Sequence, residues 1–216
     1  MKTLTFDNGS EGRMEWLALR RGKITGSRLK DIVVKRGNGK KIGFYELIAE
    51  KLGLPPEDDE TAMERGARLE KDAIERFKLE HPGVEVDTSL VIWTRDDNEN
   101  IAVSPDGVIS ETEAVEAKCL SSARHIEAFL TRQIPADYEY QKLQYFIVND
   151  KLQTLHFIFF DPRFQMFADP DSRQAKLDYF ELTVTRAEVQ SEIESMLTYE
   201  REVIAEVNEI VTRLSF

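Results

Sequence analysis

Two short stretches of this sequence carry side chains whose types and spacing suit chemistry on a phosphate ester. Ser104-Pro105-Asp106-Gly107 is followed by Glu116-Ala117-Lys118. Side chains alternate along a strand, so Glu116 and Lys118 point to the same face. A turn at Ser110 to Glu113 lets the two stretches pair as a hairpin, which sets Asp106 beside Glu116. Two carboxylates and a backbone carbonyl, that of Ala117, make an oxygen ligand set suited to Mg²⁺. A metal held there polarises a phosphate and lowers the pKa of a bound water. Lys118 would stand beside that water, orienting it or stabilising charge on the phosphoryl oxygens. Each stretch alone has a plainer reading. Pro-Asp-Gly commonly makes turns, and Glu-x-Lys suits a solvated strand face. Their combination in this order singles them out.

Two further features join them. Glu70, in Gly66-Ala67-Arg68-Leu69-Glu70, is either an i,i+4 surface partner or a further carboxylate reaching the metal. Gln141 and Gln144 lie three apart and share one helix face, where an amide could orient a water or phosphate oxygen; an exposed glutamine is the plainer reading. His81, His125 and His156 show no paired metal spacing and read as structural or surface residues. No Gly-x-x-x-x-Gly-Lys-Ser/Thr loop is present, which points away from ATP-driven action. The single cysteine, Cys119, can make neither an internal disulfide nor a four-cysteine cluster, and reads as a small buried residue.

These residues need elements to position them. Helices are expected over Met14–Leu19, over Arg28–Val34 with Ser27 as its cap, over Phe44–Leu52, and over Thr61–Glu80, which His81-Pro82-Gly83 stops. A basic, glycine-rich loop spans 35–41, and Pro55 to Glu60 is an acidic breaker. Strands are expected over Val84–Trp93, Ile101–Ile109 and Ala114–Cys119. Helices over Ala123–Leu130 and Ala136–Val148 follow. Leu152–Phe160 reads as a strand buried on both faces, 164–174 as irregular, Leu177–Val184 as a strand and Thr185–Leu214 as a long final helix. Trp16 and the apolar stripes of the long helices read as core. The pattern is α/β (α+β), with a central mixed sheet flanked by helices. One domain over 1–216 is expected, with a basic helical part over 1–53, a core over about 61–184 and a C-terminal helix over 185–214.

Composition bounds the function. With 41% hydrophobic and 32% charged residues, the chain is a folded protein rather than a disordered one. No apolar run approaches the ~20 residues that cross a bilayer, and Met1 to Asp7 lacks the apolar segment of a signal peptide. A cytoplasmic protein without membrane contact is expected. The net charge of −11 by itself argues against nucleic acid. Residues 1–53 nevertheless carry 12 Lys/Arg and 6 Asp/Glu, which permits one basic face on an acidic body.

In order, Trp16-x-x-Leu19-Arg20-x-Gly22-x-Ile24-Thr25-x-Ser27, Gly66-x-x-x-Glu70-x-x-Ala73, Ser104-Pro105-Asp106-Gly107, Glu116-x-Lys118-Cys119 and Tyr138-x-x-Gln141 resemble the lambda exonuclease family, the YqaJ-like viral recombinases. The resemblance runs from Trp16 to Arg163. It implies a PD-(D/E)xK nuclease core and a magnesium-dependent 5′→3′ exonuclease on double-stranded DNA, with Mn²⁺ also serving. Such an enzyme works as a ring of three subunits from DNA ends, releases 5′-mononucleotides, and leaves a 3′ tail for a single-strand annealing protein. A phage or prophage origin is implied. By motif match, Asp106 and Glu116 are metal ligands, Lys118 is the catalytic lysine, and Glu70 and Gln141 support them. The resemblance assigns Arg20, Ser27, Ser104 and Arg124 to the 5′-phosphate and Met63 to a wedge that opens the end base pair. Residue 117 is Ala, so ligation there must use the backbone carbonyl. The run Gln-Lys-Leu-Gln leaves Gln141 and Gln144 both open. An endonuclease with the same centre, or a non-catalytic DNA-end binder, are the alternatives.

Overall fold

The computed structural model describes residues 1–34, 41–51, 60–120, 122–162, 164 and 178–215. Most of the glycine-rich loop, the acidic breaker and the irregular stretch after Phe164 lie outside them. So do the side chains of Met63 and Arg124, although their backbones are helical.

Two sheets form the frame. The first is antiparallel, in the order β1 (Lys2–Phe6), β2 (Leu90–Thr94), β3 (Ala102–Val103). The second runs β4 (Gly107–Val108), β5 (Glu113–Lys118), β6 (Thr154–Phe160), β7 (Tyr179–Thr185). It is mixed: β4 and β7 are antiparallel to their neighbours, and β5 and β6 are parallel. The parallel pair needs a long crossover. This is supplied by α5 (Ser122–Thr131), a 3₁₀ turn at Ala136–Tyr138 and α6 (Glu139–Val148). The expected mixed sheet is present, and a second sheet lies beside it.

That second sheet changes one expectation. The run 101–109 is not one strand: β3 belongs to one sheet and β4 to the other, with Ser104-Pro105-Asp106 as the hop between them. Pro105 has no N–H for a ladder, which makes it a natural break. Likewise 84–93 forms a strand only from Leu90, with Asp87 bridging to Val108. β1, which the sequence reading did not anticipate, pairs with β2 across its whole length.

The remaining helices are α1 (Ser10–Arg20), α2 (Gly26–Ile32), α3 (Ile42–Lys51), α4 (Glu60–Glu80) and α7 (Arg186–Leu214). β6 is an inner strand, with Leu155, Phe157, Ile158 and Phe159 fully buried, as its continuous apolar run implies. One core packs α2, α6 and α7 around Trp93, Tyr145, Phe146 and Phe157. A second joins Ala73, Ile74 and Phe77 of α4 to Val115, Ala117 and Ile158. α7 starts with a capping box between Thr185 and Glu188. α2 does not start as expected. Its N-cap is Thr25, in extended conformation, so Ser27 lies inside the first turn and caps nothing.

Candidate active site

Helices α1, α2, α4 and α6 and strands β2, β3 and β5 converge on one cleft of about 350 Å³. The hairpin sets its floor. Gly107 pairs with Val115, and just beyond that pair the Ala117 N–H donates to Asp106 Oδ2 at 2.8 Å. In an extended strand the N–H and C=O of one residue leave on the same side, so the Ala117 carbonyl faces Asp106 too. A side chain at 107 would not fit: a Cβ there would lie 2.6 Å from Val86 Cγ1.

Glu116 and Lys118 share a face, as alternation requires, and the Lys118 ammonium donates to Glu116 Oε1. The Gln141 amide donates to the same oxygen, and the buried Tyr145 hydroxyl donates to Oε2. Glu116 is fully buried, and these three donors replace the water it has lost. Gln141 and Tyr145 are four apart on α6 and so lie on one face. The structure therefore puts Gln141 in the cleft and Gln144 behind it. Gln144 is fully buried, and its amide points at the carbonyls of Ile24 at 3.3 Å and Ala102 at 3.4 Å. α2 packs closely on α6 because residue 26 is glycine; a Cβ there would lie 3.0 Å from Gln141 Cγ.

Charge is concentrated here. Burial, then the charges of Glu116 and Glu70, hold the Asp106 carboxyl well above its usual range. Glu70 lines the cleft from α4, and burial and the Glu116 charge push it up to about 7. It makes no ion pair among the described residues, which favours the cleft over the surface-partner reading. Burial works to lower the Lys118 pKa, but the Glu116 and Asp106 carboxylates outweigh it and keep the ammonium charged. Its Nζ lies 4.9 Å from the centre of the Tyr138 ring. Burial pushes the Cys119 thiol up to about 12, which leaves it protonated and unreactive.

The donor set fits a hard divalent cation. Its oxygens are carboxylates and a backbone carbonyl, and without a cation between them the Glu116 charge opposes ionisation of Asp106 and Glu70. Among the described residues no three His, Cys, Asp or Glu side chains form a ready metal cage. The fit is therefore two carboxylates, Asp106 and Glu116, with the Ala117 carbonyl, in a cleft that Glu70 also lines.

Arg20, Ser27 and Ser104 line the same cleft. Arg20 Nη2 donates to Ser27 Oγ at 3.4 Å. Burial lowers the Arg20 pKa, opposed by the Asp106 and Glu116 charges. Ser104 Oγ is buried and has no hydrogen-bond partner among the described residues. Trp16, expected in the core, is instead half-buried and lines the cleft, with its Nε1 donating to the Val91 carbonyl at 3.3 Å. The histidines stand elsewhere: His125 is buried, and His81 and His156 hydrogen-bond Glu181 at 2.8 and 2.6 Å. Two cleft residues escaped the sequence reading. Tyr145 follows Gln141 by one helical turn, and Arg13 precedes Trp16 by one; both spacings were visible, but neither says which face meets the strands.

The YqaJ-like viral recombinase domain matches residues 15–151. No curated protein matches the chain. The crystal structure of an alkaline exonuclease, LHK-Exo, from Laribacter hongkongensis superposes with a TM-score of 0.72 at 26% identity, over 94% of this chain and 98% of that one. The same protein in complex with dAMP gives a TM-score of 0.73 at the same identity and coverage. A phage-related exonuclease from Haemophilus somnus, at 15% identity and a TM-score of 0.58, covers 89% of this chain and 96% of that one, and shares the fold. With the profile spanning well over half of its length and the motifs gathered in one cleft, this chain belongs to the YqaJ-like viral recombinase family.

Proposed function

We propose that this protein is a metal-dependent exonuclease that degrades double-stranded DNA 5′→3′ from its ends, releasing 5′-mononucleotides and leaving a 3′ single strand. One observation carries the reading: Asp106, Glu116 and Lys118 share a cleft with Arg20, Ser27 and the Ser104 hydroxyl, which has no partner among the described residues. A hydrolytic centre and a set of phosphate donors thus face the same small volume. The likeness to LHK-Exo, an alkaline exonuclease, supports the same reaction class.

Bound at Asp106, Glu116 and the Ala117 carbonyl, Mg²⁺ or Mn²⁺ would supply a Lewis acid for the scissile phosphate and a more acidic water. The protein's own groups do the rest. Lys118, kept charged, stabilises negative charge on the phosphoryl oxygens. Gln141 and Tyr145 hold the Glu116 carboxylate in one orientation. Arg20 offers a planar fork to a terminal 5′-phosphate, with Ser27 and Ser104 as neutral donors beside it. Arg124 belongs to the same pocket and Met63 to an end-opening wedge on family grounds alone. A ring of three subunits and an annealing partner rest on the same grounds. The acidic charge gives the ring a physical motive, since enclosure permits persistence on DNA where local contacts are weak and salt-screened.

The test compares linear 5′-phosphorylated duplex, linear 5′-hydroxyl duplex and covalently closed circular DNA, with Mg²⁺ and with chelator. Mononucleotide release from the linear forms in Mg²⁺ alone, fastest with the 5′-phosphate, is expected. Cutting of the closed circle would establish an endonuclease instead. Binding without cleavage in Mg²⁺ would establish an end binder.

A further inference from the structure

Arg13 is a cation of the cleft that the proposed chemistry leaves unused. It precedes Trp16 by three residues and Arg20 by seven on α1, so the three side chains share a helix face. The indole is anchored through Nε1 to the Val91 carbonyl. The Arg13 guanidinium carbon lies 4.5 Å from the ring centre, and that of Arg20 lies 4.3 Å from it. Each guanidinium is thereby held against one fixed aromatic spacer.

The two differ in their partners. Arg20 faces the Asp106 and Glu116 charges and donates to Ser27. The Arg13 guanidinium has neither hydrogen bond nor ion pair among the described residues, although it lines the cleft, is half-buried and acts at longer range on the Glu70 carboxyl. Every other buried or half-buried arginine among the described residues has a side-chain hydrogen bond. Arg28 is paired with Glu50, Arg76 with Glu80 and Asp178, and Arg95 with Asp97 and Asp150. Stacking orients a guanidinium but leaves its five N–H donors unfilled, and a partly desolvated cation calls for an anion. The flat fork matches phosphate oxygens.

We infer that Arg13 holds an internal backbone phosphate of the DNA, distinct from the terminal phosphate at Arg20, with the Trp16 indole setting the spacing between the two. The inference rests on the reading of the cleft as a DNA-end nuclease. It adds a contact that registers the strand without sensing the chemistry of its end. Two phosphates held on one rigid platform would fix which phosphodiester bond lies over Asp106 and Glu116.

The test measures duplex binding by fluorescence anisotropy in chelator and initial cleavage rates in Mg²⁺. Wild type, Arg13→Gln and Arg13→Lys are compared, each checked for fold by circular dichroism. The duplexes carry a 5′-phosphate or a 5′-hydroxyl. A further set carries one neutral methylphosphonate, moved stepwise along the linkages nearest the 5′ end. Arg13→Gln should weaken binding about tenfold, by the same factor on both end types, and Arg13→Lys should recover part of the loss. The salt dependence should fall by about one released counterion. At one internal linkage the methylphosphonate should weaken wild type as much as the mutation does, and should add nothing to the mutant's defect. Penalties that add at every linkage would overturn the inference, since Arg13 would then only pack against Trp16. A loss confined to 5′-phosphorylated ends would also overturn it, by moving Arg13 into the terminal pocket. Failure of wild type to bind any DNA end would remove the nuclease reading itself, and the wild-type arm alone reveals that.

Discussion

A neutral amide in place of Glu200 should make this protein more stable, increasingly so as pH rises. Glu200 lies on α7, fully buried behind α6. Its Oε2 faces the Gln144 amide at 3.4 Å, and its Oε1 has no partner among the described residues. Burial pushes the carboxyl up to about 8, against the smaller opposing effects of Gln144 and Arg95. In the unfolded chain the same group titrates near 4.5. Between those values the folded protein keeps a proton that the unfolded chain has lost, so unfolding becomes easier as pH rises. The contribution is fully present below the unfolded value and is lost as pH rises through the folded one. Each pKa unit corresponds to about 1.4 kcal/mol, so the loss reaches about 3 kcal/mol at pH 7 and about 5 kcal/mol by pH 9. A domain of ordinary stability holds only about 5–15 kcal/mol. Glu200→Gln removes the titration, and its new N–H can serve Gln144 Oε1, which also lacks a partner among the described residues. Urea unfolding at pH 5, 7 and 9, followed by the fluorescence of Trp16 and Trp93, measures the difference. The variant should exceed wild type by several kcal/mol at pH 9 and by little at pH 5. An equal gap at both pH values, or a variant less stable at pH 9, would refute the burial argument.

Asp106→Asn, Glu116→Gln and Lys118→Ala should each slow cleavage of linear duplex by ~100-fold or more with an unchanged circular-dichroism spectrum; near-normal turnover by Lys118→Ala would end the mechanism. Tyr145→Phe takes the donor from Glu116 Oε2. It should lower unfolding stability by about 1.5–3 kcal/mol and slow cleavage, and denaturation curves matching wild type would show that the hydrogen bond contributes nothing. Gly107→Ala places a Cβ 2.6 Å from Val86 Cγ1. The overpacking should cost about 1–3 kcal/mol, readable as a lower melting temperature, and a fully stable variant would show that the hairpin has room to move. Ca²⁺ tolerates longer and looser coordination than Mg²⁺, so it should support DNA binding without efficient turnover; brisk cleavage in Ca²⁺ would contradict the metal geometry.

What could be read from the sequence was what depends on near neighbours. Alternation along a strand put Glu116 and Lys118 on one face, and the short turn after Gly107 brought Asp106 to Glu116. The apolar run of β6 announced a strand buried on both sides, because burial leaves no polar face to alternate with. The ordered motifs pointed to the family. Tertiary structure decided whatever depends on partners far along the chain. β1 is a strand because β2, more than eighty residues later, offers it a ladder. Ser104-Pro105-Asp106 became a hop between sheets because β3 found its partner in β2 and β4 found its own in β5. Gln141 and Gln144 share a helix face in any sequence reading. Only the packing of α6 turned the first toward Glu116 and the second toward carbonyls of Ile24 and Ala102. Trp16 read as core and Arg13 drew no reading at all, and the cleft made them neighbours. The period of a side chain is a local property of the backbone. The group it meets is set by which elements pack together, and no residue encodes that alone.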